Sequence, residues 1–286
     1  MALTDLSTVQ IFDRVIFQQP VPDELLPLVS WKAVRGNALL IVEVNPAIGT
    51  VGWVGVAAVA TANAETFSQD TYSIARVMGE FDLGEGNQQI YSAMMDQRKA
   101  QADVKRILLR QAVGNALVVG TGTMDQPTGL TIASSNTVAG GSATLTLTML
   151  RDLLQRIVTH GGRCDYLVMS GQMINRFRSF YDAAPQPTPA PSVVDARTGE
   201  VRLACSGVPI LRCDHLPNTA GVDSQVIAIN LDAVCLIYPE GVGDRGLVVS
   251  DMETRSNGSL SVRLTQNVGV ALIEQGGVAV LTAVRP

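Results

Sequence analysis

Two periods of hydrophobic and polar positions run along this chain, and the switches between them mark its elements. Over residues 88–117, Ile90, Met94, Val104 and Leu108 fall three and four apart on one stripe, the spacing of an amphipathic helix. Gln97, Gln101 and Gln111 continue that stripe, so its middle is polar. Arg98, Lys99, Asp103, Lys105, Arg106 and Arg110 sit mostly off it. At 1.5 Å per residue such a helix is roughly 40–45 Å long, well above the usual three or four turns. A rod with a half-polar stripe predicts a spine lying over a sheet, with neighbours near its open side. Asp82, Leu83 and Gly84 break the chain before it, and the turn-rich loop GTGTMDQPTGL at 120–130 ends it.

Upstream of the helix the period is two. Residues 38–44 read as a strand and 45–49 (Asn-Pro-Ala-Ile-Gly) as a turn. A second strand over 50–59 completes a long hairpin with a Gly- and Ala-rich return and an apolar tip around Trp53. A two-stranded ribbon is marginal alone in water, so it either projects onto a partner surface or forms an ordinary sheet edge. Residues 67–81 alternate again. Residues 1–30 read as an arm: a short helix is readable over 5–15, and Pro20, Pro22 and Pro27 then break regular structure. An arm of this kind builds no core alone and packs on something else, such as a neighbouring subunit.

Downstream, 134–142 is a linker of small residues. A second helix is predicted over 148–159, capped by Thr146 or Thr148. Its buried stripe is Leu150, Leu153, Leu154, Ile157 and Val158, and it closes on His160 and Gly161-Gly162. A buried strand at 165–169 and a short helix at 172–181 follow. Residues 184–192 alternate proline with small residues and favour an extended, stiff conformation. Thr198-Gly199 reads as a hairpin turn. Strands are predicted over 208–212, 225–230, 233–238, 247–253, 260–266 and 269–273, with Ser256-Asn257-Gly258 a hairpin turn. The fold class is α+β.

Composition narrows the function. Of the 286 residues, 47% are hydrophobic and only 16% charged, so the chain has apolar surface to hide in a core or at an interface between copies. The net charge of −5 comes without a basic run, which argues against direct nucleic-acid binding. Residues 1–17 lack the basic start and apolar run of a signal peptide. The most apolar stretch, 51–60, is half the roughly 20 residues a membrane span needs. A soluble cytoplasmic product with no membrane contact is expected. Cys164, Cys205, Cys213 and Cys235 show no C-x-x-C spacing and read as reduced structural thiols.

Candidate chemistry is sparse. There are two histidines. His160 sits where a helix cap belongs. Cys213, Asp214 and His215 are adjacent, so in extended chain they point to opposite sides, and no second ligand pair has zinc spacing. Gly120-Thr121-Gly122 follows a helix rather than a strand and lacks a third glycine, so it fails the context for dinucleotide binding. No P-loop or G-x-S-x-G occurs. No catalytic residue, cofactor or metal is expected, and the chain does not read as an enzyme.

The order of these pieces carries a resemblance. A long helix followed by the loop at 120–130 resembles the backbone helix of tailed-phage major capsid proteins of the HK97-like fold. Leu25-Leu26-Pro27-Leu28 and Arg35-Gly36-Asn37-Ala38-Leu39 resemble that family's arm leading into its extended loop. Residues 66–71 resemble the strand entry after that loop, and 166–170 the strand after the second large helix. Gly207-Val208-Pro209-Ile210 with Asp214-His215-Leu216-Pro217 resembles the family's G-x-P…D-x-x-P stretch. Each piece is only a turn or strand signature; order and spacing carry the weight.

The resemblance implies an N-terminal arm (1–36), an extended β-hairpin loop (37–62), a peripheral domain with the spine helix (63–145 and 245–286) and a central domain (146–244). It implies a structural shell protein that assembles with itself as hexamers and pentamers into an icosahedral virion capsid, built in the host cytoplasm. That shell would enclose phage double-stranded DNA without sequence-specific binding. A separate scaffolding protein and a portal are the expected partners, with a decoration protein as a further one. Trp31, Trp53, Val54, Arg98, Arg106 and Arg110 are the candidate assembly contacts. The three lysines, Lys32, Lys99 and Lys105, lie outside the hairpin, so the lysine–asparagine cross-linking of some such capsids is not expected. The alternatives are an encapsulin-type nanocompartment shell of the same fold and a soluble α/β enzyme.

Overall fold

The computed structural model describes residues 21–45, 66–83, 97–123, 126–160, 162–182, 189–217, 224–243, 245–250, 253–254 and 260–286. In chain order the elements are β1 (Ser30–Val34), β2 (Ala38–Asn45), β3 (Thr66–Ser73), β4 (Ala75–Leu83), α1 (Gln97–Val119), α2 (Leu130–Ala133), β5 (Thr137–Thr144) and α3 (Leu147–Thr159). Then come β6 (Tyr166–Met169), α4 (Gly171–Asp182), β7 (Ser192–Val194), β8 (Val201–Cys205), β9 (Val208–Arg212) and β10 (Ser224–Ile229). The last are β11 (Val234–Pro239), β12 (Leu247–Val249), β13 (Glu253–Thr254), β14 (Leu260–Leu272) and β15 (Val278–Arg285). The class is α+β, as the pattern predicts.

Three sheets organise these strands. A seven-stranded sheet runs β5-β15-β10-β6-β9-β8-β7. A second contains β1, β11, β14 and β12, with β4 and β13 also on β14. β2 and β3 form a separate two-stranded ribbon. Strand alternation, in which successive side chains face opposite ways, divides the seven-stranded sheet between two cores. Tyr166, Val168, Ile227, Ile229, Val278 and Val280 face the arm, α1 and the second sheet. Leu167, Met169, Val226, Ala228, Ala279 and Leu281 face α3 and α4. Burial on both faces explains why β6, β10 and β15 are almost continuously apolar.

Helix α1 lies over β4 and β14. Leu109 packs with Phe81, Val262 and Leu264, and Val113 and Leu117 enter the larger core with Leu25 and Leu26. The stripe expected from Val104 and Leu108 is therefore misplaced: Leu108 is 49% exposed. The buried line runs Leu109, Val113, Ala116, Leu117, one residue or about 100° round the helix. Packing of the C-terminal half onto the sheet fixes the rotation. Residues 84–96, where the helix is predicted to begin, lie outside the described residues. The glycines of the following loop answer to contact. Gly129 N–H donates to Gly120 O at 2.8 Å, and a Cβ on Gly120 would come within 2.1 Å of Pro127 O, so the two backbones touch only without side chains.

Other departures have local causes. The alternation over 67–81 breaks at Ile74 into β3 and β4. Residues 137–142, expected as part of the linker at 134–142, belong to β5 because β15 supplies a parallel partner along Val280–Arg285; their Gly, Ala and Ser carry little strand propensity. The strands predicted at 260–266 and 269–273 are one strand, β14. It pairs with β4 along Leu260–Val268 and with β11 from Gly269 onward. Leu150, Leu153 and Ile157 of α3 are buried as expected, whereas Val158 is 58% exposed. The return strand at 50–59, the short helix at 5–15 and the turn at 256–258 lie outside the described residues.

Candidate assembly interface

The described part of the arm, from residue 21, docks on its own chain. Asp23 opens the turn, its Oδ1 accepting from Leu25 N–H (3.0 Å) and Leu26 N–H (3.1 Å), the bonding of a capping aspartate. Glu24 N–H donates to Arg212 O (2.9 Å), and Asp214 N–H to Pro22 O (3.0 Å), clipping the arm to the end of β9. Leu25, Leu26 and Val29 are then driven into the core. Asp23 Oδ2 faces His215 Nε2 at 3.8 Å over Gly114 of α1. A Cβ at position 114 would lie 2.5 Å from that carboxylate oxygen, so the helix approaches closely because glycine stands there. Burial pushes His215 below its ordinary value, opposed by Asp23 and Asp214. The Cys213–Asp214–His215 run is thus consumed structurally. Cys213 is buried, its thiol pushed up to about 12 by desolvation, and Asp214 accepts from Gly171 N–H at the start of α4 (2.7 Å).

The ribbon has two unlike faces. Leu39 and Tyr72 pack on the core patch of Val34, Cys235, Ile237 and Ala271, and Asp70 accepts from Gln275 Nε2 at 3.1 Å. Alternate residues point away: Leu40 and Val42 are 52% and 53% exposed, beside Thr71 and Gln69 in the pairing. An apolar pair on the open face of a ribbon needs cover from elsewhere.

Two candidate contacts from the sequence meet in one place. Trp31 on β1 and Arg110 on α1 both line a hollow of about 290 Å³, floored by Leu26, Pro27 and Val113 and closed by Arg245 and Gln266. Trp31 is half-buried, tilted against Tyr238, with the Arg245 guanidinium 5.7 Å from its ring centre, within cation–π range. Arg106 lies apart, exposed and 3.6 Å from Asp103. Arg98 belongs to α1, but its side chain, like Trp53 and Val54, falls outside the described residues.

Several other charges are neutralised within the chain. A groove of about 740 Å³ beside α4 holds Glu24, Arg178, Glu200, Arg202, Arg212 and Asp214. Arg202 binds Glu24 and, at 2.7 Å, Glu200. Arg202 also lies 3.2 Å from the buried Asp195. Burial opposes ionisation of Asp195, but the Tyr166 hydroxyl (2.6 Å), Arg197 N–H and Thr198 hydroxyl hold it below the usual carboxylate range. Burial and that same bond push Tyr166 up to about 12. This is a structural lock for the β7–β8 turn. His160 caps α3, its N–H and Nδ1 both on Arg156 O. Among the described residues no cluster of three metal-ligating side chains occurs.

Sequence reasoning missed the Asp23 clasp and Arg245. An aspartate two residues before Leu25-Leu26 is a legible capping signal; nothing in the sequence marks Arg245, whose partner Trp31 is 214 positions away.

Comparison with known proteins accords with this geometry. A sequence model of the phage capsid family matches residues 12–283. No curated protein sequence matches the chain. Among solved structures, the SrpI encapsulin complex of Synechococcus elongatus superposes with a TM-score of 0.77 at 17% identity, over 100% of this chain and 96% of that one. The capsid of Cyanophage A-1(L) gives 0.75 at 15%, over 99% and 98%. The capsid of a native GTA particle gives 0.73 at 15%, over 97% and 96%.

Proposed function

The chain belongs to the phage capsid family, and from that premise we propose that copies of it form hexamers and pentamers that close into an icosahedral virion shell around phage double-stranded DNA. It is a structural capsid protein with the HK97-like fold. The observation that carries the assembly reading is the ribbon: its inner face is spent on its own chain, while Leu40 and Val42 stay open. Repeating one heterologous contact round a ring, with small adjustments, closes a shell. A neighbouring copy is the surface such a ribbon needs. The shell holds together through many modest apolar contacts, and the buried Asp195–Tyr166 pair and the Asp23 cap serve folding rather than catalysis.

The spine α1, the ribbon and the Trp31 hollow are the surfaces we assign to contacts between subunits. Assembly in the host cytoplasm with a separate scaffolding protein and a portal fits a chain of this fold and charge, and a decoration protein is compatible with it. We place the peripheral unit on β4, α1, β12, β13 and most of β14. The central unit takes the seven-stranded sheet with α3 and α4. This moves residues 137–144 and 278–285 to the central unit on the strength of their pairing with β10 and each other. The likeness to an encapsulin complex supports a second reading, a protein-filled compartment. The contents of purified shells decide between them: DNA together with portal protein supports the capsid reading, and co-purifying protein cargo without DNA supports the compartment.

A further inference from the structure

The hollow between β1 and α1 is basic. Among the described residues its lining includes two arginines, Arg110 and Arg245, and no acidic residue. Among the described residues neither arginine has a carboxylate within 4.0 Å, as is also true of Arg76, Arg151, Arg156, Arg176, Arg178 and Arg285, but Arg110 and Arg245 share one hollow. Asp23 borders an adjoining hollow with Arg110; its Oδ1 accepts from Leu25 and Leu26 N–H and its Oδ2 lies 3.8 Å from His215 Nε2, and it forms no ion pair with Arg110. The floor is apolar, with Trp31 only half-buried. Arg245 is set over that ring by left-handed backbone, φ +52°, uncommon for a residue with a Cβ. Gln266 Nε2, donating to Arg245 O at 3.4 Å, holds the turn. Strained backbone maintained by its surroundings tends to mark a place where a side chain must be aimed.

We propose that this hollow is a socket for a carboxylate carried beside an apolar side chain on a second copy of the chain. The carboxylate enters between the two guanidiniums and its neighbour rests on Trp31. The inference rests on the shell reading above. A second copy is the occupant the charges favour, because each copy has 26 acidic against 21 basic residues and a net charge of −5. Arg110 and Arg245 are exposed in the single chain; covered by a second copy, their guanidiniums form charge-assisted hydrogen bonds to a carboxylate, and an aromatic flanked by arginine is the composition of an interface anchor.

The test uses shells assembled from the full chain. Arg110→Lys keeps the charge and brings an amine to the socket. A carbodiimide then joins that amine to any carboxylate in contact with it. Shells assembled from a mixture of light- and heavy-isotope chains are cross-linked and digested. The expected product is a mixed-isotope peptide pair joining position 110 to an Asp or Glu of another copy. In parallel, Arg110→Gln with Arg245→Asn, the latter chosen because asparagine tolerates left-handed backbone, weakens subunit association by roughly tenfold or more while the unfolding midpoint of the subunit stays put. No cross-link, a link only within one chain or to a different protein, or a double variant with wild-type shell yield overturns the socket. Wild-type chain that forms no shells with its full set of head proteins overturns the capsid reading instead, so the two failures are distinct.

Discussion

Removing the Asp23 side chain tests whether the arm is held by a cap or by a charge. Its Oδ1 accepts two backbone N–H groups, at 3.0 and 3.1 Å, while its Oδ2 lies 3.8 Å from His215, beyond hydrogen-bond reach. His215 is pushed toward its neutral form by burial, so the second contact adds little Coulomb attraction. The cap dominates, and losing such a cap costs typically about 1 kcal/mol, within roughly 0.5–2. Asparagine caps as well as aspartate. Asp23→Ala is therefore expected to lower unfolding stability by about 1 kcal/mol and to speed exchange of the Leu25 and Leu26 amide hydrogens roughly fivefold. Asp23→Asn should change both by less than a third of that. Denaturant melts of the subunit, with hydrogen exchange read at the two leucines, give both quantities. If Asp23→Asn is as damaging as Asp23→Ala, charge holds the arm and the reasoning fails; if neither matters, the arm is held by Leu25, Leu26 and Val29 alone.

Three further outcomes follow from the same geometry. Tyr166→Phe strips a donor from the buried Asp195, whose depressed folded value means that its stabilisation is present above the unfolded value of about 3.9 and lost as pH falls through the folded one. A loss of about 1–3 kcal/mol at pH 7 should shrink in melts run below that range, and a loss independent of pH contradicts it. His215, also depressed, contributes stability that is full above about 6.5 and falls as pH drops toward the folded value; His215→Gln should flatten that slope between pH 7.5 and 5.5, and an unchanged slope counts against it. Leu40→Asp with Val42→Asp, on the exposed ribbon face, should reduce shell yield while shifting subunit stability by no more than roughly 0.5 kcal/mol per site; full yield removes the ribbon from the interface.

Local signals made parts of the fold readable. Thr146 capping α3 through Met149 N–H, and the turn before Gly199 with φ +73°, depend on residues adjacent in sequence. The loop 120–130 was legible as a motif, and its reason is the Gly120–Gly129 backbone contact. What failed depends on distant partners. The face of α1 is chosen by Phe81, Val262 and Leu264, which a stripe of Gln and Leu does not reveal. β15 is an apolar run buried on both faces, a pattern without the alternation that distinguishes a strand. β5 becomes a strand only because β15 lies beside it. Of the candidate contacts, Arg110 sits among the cations off the stripe, and Trp31 entered with the resemblance. Arg245 joins them only through folding.

Negative-stain electron microscopy of the purified protein, with light scattering on the same sample, tests the central claim most directly. Closed shells tens of nanometres across are the predicted result, formed by the chain alone or with its head proteins. A homogeneous monomer or small oligomer that persists when the full set of head proteins is supplied contradicts it.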